Sequence, residues 1–315
     1  MFDVACVGIL VADAIARTVD NLPDKGKLDL VDKIQLFTGG CAMNSAIDMA
    51  RMGLNVAIIG KIGSDGFGKF LSGSLKDEKV DTAGLVAADG SNTSASLVTV
   101  DSNGERSFMH CVGANGEFSV SDINYDVVAN SKIVFVAGTM LMPTFDGEQC
   151  AEFLKKAREM GKYTVLDTAW DSRGRWMKVL KPCMEFIDLF IPSIEEAEQL
   201  SGKKDPEEIA DIFLSMGVKT AVIKLGKKGC FIKDSKGEKH TIPTYSKIKA
   251  VDTTGAGDSF VAGFLTGMSK GWSLYDCGLL GNAVGTHCVM AAGASTGIKS
   301  FEQISEFMKN NQPGE

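Results

Sequence analysis

Short runs rich in β-branched residues alternate along this chain with longer amphipathic stretches. The apolar runs Val4–Ile9, Val56–Ile62, Ile133–Val136, Tyr163–Leu166, Leu189–Ile191 and Ala221–Leu225 have the length and continuity expected of buried strands. Between them, 42–52, 67–79, 147–160, 206–216, 259–270 and 274–291 repeat apolar positions at helical spacing. That rhythm predicts an α/β fold, a doubly wound and mostly parallel sheet.

Two segments break the rhythm. Lys27 to Phe37 nearly alternates, with Leu28, Leu30, Ile34 and Leu36 on one side. Ser94–Val100 and Arg106–Val112 flank Asp101-Ser102-Asn103-Gly104-Glu105, and Asn-Gly between alternating runs is a hairpin signal. These strands are expected to form a small β-sheet over the C-terminal edge of the large one, where open α/β folds bind ligands. The expected organisation is a single domain over 1–315 with a discontinuous lid from 14–38 and 93–112; no repeat or Pro/Ser-rich linker divides it.

Composition narrows the function classes. Apolar residues make up 44% and charged residues 23% of the 315, which suits a large packed core. A formal charge of −7 leaves no broad basic surface, so nucleic acid is not an expected partner. The first apolar run, Val4 to Ala12, is too short to span a bilayer and no basic segment precedes it, so no membrane association is expected. Eight scattered cysteines without a C-x-x-C pair read as small buried hydrophobes, and a reducing cytoplasm is the expected location. His110, His240 and His287 are isolated in sequence.

The chemistry concentrates in Asp252-Thr253-Thr254-Gly255-Ala256-Gly257-Asp258. Apolar positions at 260, 261, 264, 265 and 268 follow, so this glycine-rich piece opens a helix. Free N–H groups and the positive dipole end at such a terminus make Gly255, Ala256 and Gly257 an expected anion hole. Asp258 beside it either caps the helix or accepts a proton from an alcohol attacking a phosphoryl group. The dipole is expected to keep its carboxylate ionised at neutral pH. Gly63-Ser64-Asp65-Gly66-Phe67-Gly68-Lys69 nearly spells a second phosphate loop, but Phe70 stands where the hydroxyl residue of a P-loop belongs.

With its Asp-Thr-Thr prefix and the following Phe260 and Gly263, the segment resembles the C-terminal signature of the ribokinase/PfkB family of carbohydrate kinases. Gly39-Gly40-Cys41-Ala42-Met43-Asn44, followed by Gly60 to Gly68, is similar to the family's N-terminal signature. The resemblance implies a Rossmann-like, ribokinase-type fold and an enzyme that moves a phosphate from ATP, with Mg2+, onto a hydroxyl of a small sugar or sugar acid. It assigns Asp258 as catalytic base, and Asp13, Gly39, Gly40, Asn44 and Asn115 to the acceptor. On the nucleotide side it assigns Ser193, Lys224, Gly226 and Gly229, with Glu196 holding Mg2+ through water; Ser193 stands where Asn is usual. Asp252 and the Thr254 carbonyl match positions that hold a monovalent cation in several relatives, which raises K+ as a third cofactor.

The acceptor is less defined. Asp167 to Trp176 partly resembles a stretch of fructokinases and 2-keto-3-deoxygluconate kinases. There Arg173 or Arg175 either binds a carboxylate or phosphate on the acceptor or pairs with Asp167 or Asp171. Gly138 to Pro143 offers no carboxylate or amide, which disfavours ribose. A nucleoside kinase and a non-catalytic sugar-sensing protein are the alternative readings on this scaffold. Family lids often pair, so a homodimer through the lid is expected.

Overall fold

The first apolar run does not continue to Ala12 as one strand. It breaks at Gly8, where φ is 149° and a Cβ would lie 2.0 Å from the Ala137 carbonyl oxygen. There the chain leaves one sheet and enters another. The computed structural model describes residues 1–245 and 247–314.

In chain order the elements begin with β1 (Phe2–Gly8), β2 (Val11–Arg17), β3 (Lys33–Gly39), α1 (Cys41–Arg51), β4 (Val56–Gly63), α2 (Gly66–Asp77), β5 (Asp81–Ala88), β6 (Ala95–Val100) and β7 (Arg106–Cys111). The middle adds α3 (Tyr125–Ala129), β8 (Ser131–Thr139), α4 (Glu148–Glu159), β9 (Tyr163–Thr168), α5 (Met177–Leu180), β10 (Leu189–Phe190), α6 (Ile194–Ser201) and α7 (Pro206–Ser215). The last third supplies β11 (Thr220–Lys224), β12 (Cys230–Asp234), β13 (Lys239–Ile242), α8 (Ala256–Ser269), α9 (Leu274–Val289) and α10 (Phe301–Asn310).

The large sheet has nine strands in the order β13-β12-β11-β10-β9-β8-β1-β4-β5. It is parallel from β11 to β5, with β12 and β13 antiparallel at one edge. In β1, Val4 and Cys6 face a core built on α1, α2, α8, α9 and α10. Ala5 and Val7 face the opposite core, built on α3 to α7. Burial on both faces explains why this strand reads as continuously apolar rather than alternating.

The small sheet, β3-β2-β6-β7, has two distinct faces. Its register places Asp13, Phe37, Ser96 and His110 in one row, with Arg17, Lys33, Val100 and Arg106 further along the same face. The other face carries Ala14, Leu36, Leu97 and Met109, then Ala16, Ile34, Thr99 and Ser107. Only the second half of the expected 27–37 alternation forms a strand: Leu28 and Leu30 are 78% and 92% exposed, so no packing holds them in register. Asn103-Gly104 forms its hairpin turn as expected, joining β6 to β7.

The near-P-loop at Gly63 is a structural knot. Asp65 caps α2 by accepting from the Gly68 amide at 2.8 Å, and its other oxygen accepts from the Thr93 amide at 2.8 Å. The Gly63 amide donates to Thr93 Oγ1 at 2.9 Å, so this loop anchors the entry into β6. None of the helices is long and apolar enough to cross a membrane among the described residues.

Asn115 performs a similar task at the start of β2. Its Oδ1 accepts from the Leu10 amide at 3.2 Å and its Nδ2 donates to the Leu10 carbonyl at 2.9 Å. Asn115→Ala leaves two buried backbone groups unpaired. It is expected to lower unfolding free energy by about 1–3 kcal/mol for each, read as a shift of the urea midpoint at unchanged slope; an unshifted midpoint would show that water replaces the amide.

Candidate active site

Gly255 turns the chain into α8 with φ 77°, and a Cβ there would lie 2.6 Å from Ala294 Cβ. Of the amides expected to form an anion hole, one is occupied. The Ala256 amide donates to the Thr253 carbonyl at 3.2 Å, while the amides of Gly255, Gly257 and Asp258 make no hydrogen bond among the described residues. Three free donors therefore remain at the dipole's positive end.

Asp258 lies in the first turn of α8 and opens onto a cavity of about 680 Å³. Asn44, from α1, donates through Nδ2 to Asp258 Oδ2 at 2.8 Å. Ser45 Oγ donates to the Asp258 carbonyl at 3.1 Å. The Asp258 carboxylate is ringed by protein, and this desolvation raises its pKa above the usual value; the Asn44 hydrogen bond, Lys224 and Cys41 pull it back only in part. Desolvation is thus an influence on this carboxylate that the dipole argument left out. Asn44 is 4% exposed, and its Oδ1 has no partner among the described residues. A buried carbonyl oxygen so placed beside a carboxylate is an unused acceptor for a ligand hydroxyl.

Gly39 and Gly40 hold the chain close to Asp13. A Cβ on Gly39 would meet Asp13 Oδ2 at 2.2 Å, and Gly40, at φ 91°, would meet the Ile9 carbonyl at 2.5 Å. Desolvation raises the Asp13 pKa, with Ser96 opposing it through a hydrogen bond. Asn115, expected at the acceptor, is instead consumed by Leu10, so it shapes the turn that carries Asp13.

The cavity is lined by Ser193, Glu196, Lys224, Gly226 and Gly229, together with Asp258, Tyr245, Ile248 and Val289, whereas Asp13, Gly39, Gly40 and Asn44 lie outside its lining. Ser193 caps α6 and forms a capping box with Glu196. Glu196 Oε2 accepts from the Ser193 amide at 3.0 Å and from Thr168 Oγ1 at 3.1 Å, which leaves Oε1 without a hydrogen bond among the described residues. Lys224 Nζ donates to Asp167 Oδ2 at 2.6 Å, and a Cβ on Gly257 would be 3.4 Å from Nζ. The ammonium therefore lies directly under the anion hole. Burial alone would lower its pKa, but Asp167, Glu196 and Asp258 raise it and keep Lys224 charged. Burial pushes Asp167 up to about 7, against the pull of Lys224.

Asp167 and Arg106 are the site groups that sequence reasoning passed over. Asp167 ends a strand at the C-terminal edge, which is a usable signal; Arg106 carries none. Arg106 Nη1 donates to Asp252 Oδ1 at 2.6 Å and also to Thr254 Oγ1, across 146 and 148 residues of sequence. Of the two candidate acceptor arginines, Arg175 pairs with Asp171 at 3.3 Å and donates to the Met140 carbonyl at 3.1 Å. Arg173 is exposed and does not line the cavity.

Comparison with known proteins shows the family. A ribokinase of Staphylococcus aureus is 30% identical over 299 residues, covering 92% of this chain and 94% of its own. A 2-dehydro-3-deoxygluconokinase of Bacillus subtilis is 27% identical over 294 residues, covering 90% of each. A crystal structure of ribokinase from Thermotoga maritima superimposes with a TM-score of 0.84 at 26% identity, over 98% of this chain and 100% of that one. The sequence pattern described as pfkB family carbohydrate kinase matches residues 1–300. The chain thus belongs to the pfkB family, and it is an ATP-dependent carbohydrate kinase.

Proposed function

We propose that this enzyme phosphorylates a neutral polyhydroxylated sugar, with Asp258 as the base that accepts the proton of the attacking hydroxyl. The observation that carries the reading is the pairing of the Asp258 carboxylate with Asn44, whose Oδ1 is buried and unpartnered beside it. Asn44 and Asp13 supply acceptors for neighbouring hydroxyls. A sugar acid fits less well, because Asp171 already neutralises Arg175.

In the proposed step, the hydroxyl oxygen forms a bond to the γ-phosphorus of ATP as its proton passes to Asp258. The bond from phosphorus to the β,γ-bridging oxygen breaks, and ADP leaves with that electron pair. The amides of Gly255, Gly257 and Asp258, with Lys224 beneath them, stabilise charge on the transferring oxygens. The apolar wall at Tyr245, Ile248 and Val289 suits a purine ring. The free Oε1 of Glu196 fits a magnesium ion held through water, and such an ion neutralises phosphate charge when bound.

A panel of hexoses, ketoses, pentoses, sugar acids and nucleosides offered with MgATP tests the acceptor. Neutral sugars should stimulate ADP release most; a nucleoside or sugar acid as the best acceptor would sink this choice. Asp258→Asn should lower turnover by about 10²–10⁴-fold, the usual cost of a lost general base, while nucleotide binding by calorimetry survives.

The pH dependence carries a definite sign. Asp258 acts only when deprotonated, so activity falls as pH drops through its pKa. Because that pKa is raised by desolvation, the acid limb of kcat/KM should lie above the ~3.9 of an ordinary aspartate. Asn44→Ala removes a hydrogen bond that stabilises the anion and should move the limb higher. An unmoved limb would assign it to another group.

The outward face of the small sheet supports a homodimer. Leu36, Leu97, Met109 and Ile34 are 44%, 44%, 52% and 67% exposed, and the two central rows of that face contain no charged residue. Depletion of charge across a contiguous apolar patch is the composition of an interface centre, here for a second copy of the same sheet. Light scattering should give twice the 33.5 kDa chain mass, and Leu97→Asp with Met109→Asp should give the single chain. A wild-type monomer would refute the pairing.

A further inference from the structure

Arg106 opens β7 on the same face of the small sheet as Asp13, and its guanidinium reaches the loop that leads into α8. The Asp252–Arg106 pair is half-buried, with side chains 13% and 32% exposed. Both oxygens of the Asp252 carboxylate carry further donors. Asp252 Oδ1 also accepts from the Thr254 amide at 2.9 Å and from Thr254 Oγ1 at 2.7 Å; Oδ2 accepts from the Gly293 amide at 3.1 Å. The Thr254 carbonyl meets Cys288 Sγ at 3.2 Å, and the same sulfur meets the Ala294 carbonyl at 3.1 Å.

A monovalent cation such as K+ is held by oxygens that replace its hydration shell. Here both carboxylate oxygens accept protein hydrogen bonds, the Cys288 thiol sits against the Thr254 carbonyl with one hydrogen for it or for Ala294, and the single carboxylate is matched by a guanidinium. The expected site at Asp252 and the Thr254 carbonyl therefore does not fit K+ while Arg106 is docked.

We propose that Arg106 is the built-in cation of this loop, so that docking of the small sheet, rather than a dissolved monovalent ion, holds Asp252 to Gly255 in the geometry that aims the anion-hole amides. Arg106 is a positioning residue in this scheme and touches no reacting atom. Its role rests on the phosphoryl-transfer reading above. Acceptor capture by the small sheet and completion of the anion hole become one event, which disfavours transfer of phosphate to water when no acceptor is present.

Two measurements test this, and one needs no turnover. Thermal unfolding is followed in KCl, NaCl and choline chloride at equal ionic strength. The wild-type midpoint should be the same in all three, whereas Arg106→Ala, which removes the counter-charge of the Asp252 carboxylate, should be stabilised by KCl alone. A K+-specific rise in the wild type, or none in Arg106→Ala, overturns the proposal. In the second, ADP release with MgATP and the accepted sugar should be indifferent to K+ in the wild type. Arg106→Ala should lose about 5–150-fold, the range of ordinary site-to-site coupling, and recover part of it in KCl but not in choline chloride. Arg106→Lys keeps the charge and should stay indifferent to K+; Arg106→Gln replaces the alanine variant if that one does not fold. Wild-type activation by K+, or an unaffected Arg106→Ala, would again refute it. Failure of every acceptor would count against the phosphoryl-transfer reading instead, and the thermal measurement would still decide the role of Arg106.

Discussion

Helices α1 and α8 lie more than 200 residues apart in sequence and are clasped by three hydrogen bonds, and that clasp sets the proposed base, Asp258, against Asn44. Asn44 reaches Asp258 Oδ2, Ser45 reaches the Asp258 carbonyl, and Ser259 Oγ donates to Asp48 Oδ2 at 2.6 Å. The N-terminal parts of two helices are thereby brought to one spot. One presents an amide and the other a carboxylate, both stripped of most of their water. Asp48 is wholly buried in this clasp, and desolvation pushes its pKa up to about 7 despite Ser259 and Ser295. A carboxyl that holds its proton more tightly than usual opposes charge gathered at the start of α8 less than an ordinary aspartate would.

Around the clasp, two glycines permit close approach. Gly39 lets the Asp13 carboxylate come within 2.2 Å of where a Cβ would lie, and Gly255 lets α8 begin against Ala294. The nucleotide end is ruled instead by charge: Asp167, Glu196 and Asp258 surround one ammonium, Lys224. A phosphate entering there meets a cation whose partners are fixed before it arrives, so little reorganisation accompanies binding.

Much of this was legible in the sequence because both helix N-termini are written locally. Asp258 and its glycines lie within one turn, as do Gly39, Gly40 and Asn44, and the buried strands β1, β4 and β11 announce themselves as unbroken apolar runs. Strands with mixed burial, such as β5, and the antiparallel edge β12–β13 lack that signature and went unread. β2 was hidden because Val11 and Ala12 look like a continuation of β1; only the backbone turn at Gly8 separates them. The anion hole differed in one amide, Ala256, whose bond to Thr253 depends on the turn and not on residue type. Asn115 fitted a substrate motif by position, yet its orientation toward Leu10 depends on where β1 ends. Arg106 and Asp252 are 146 residues apart, and no local pattern joins them.

The distance between Asn44 and Asp258, 214 residues, also has a consequence for synthesis. A chain emerging from the ribosome at roughly 5–20 residues per second has all thirteen strands exposed to solvent or paired before α8 appears. The nascent protein can thus build its sheets while lacking Asp258, the base proposed to activate the hydroxyl. Truncated or stalled products are expected to be chemically silent, and ATP in the surroundings is safe from a half-made enzyme.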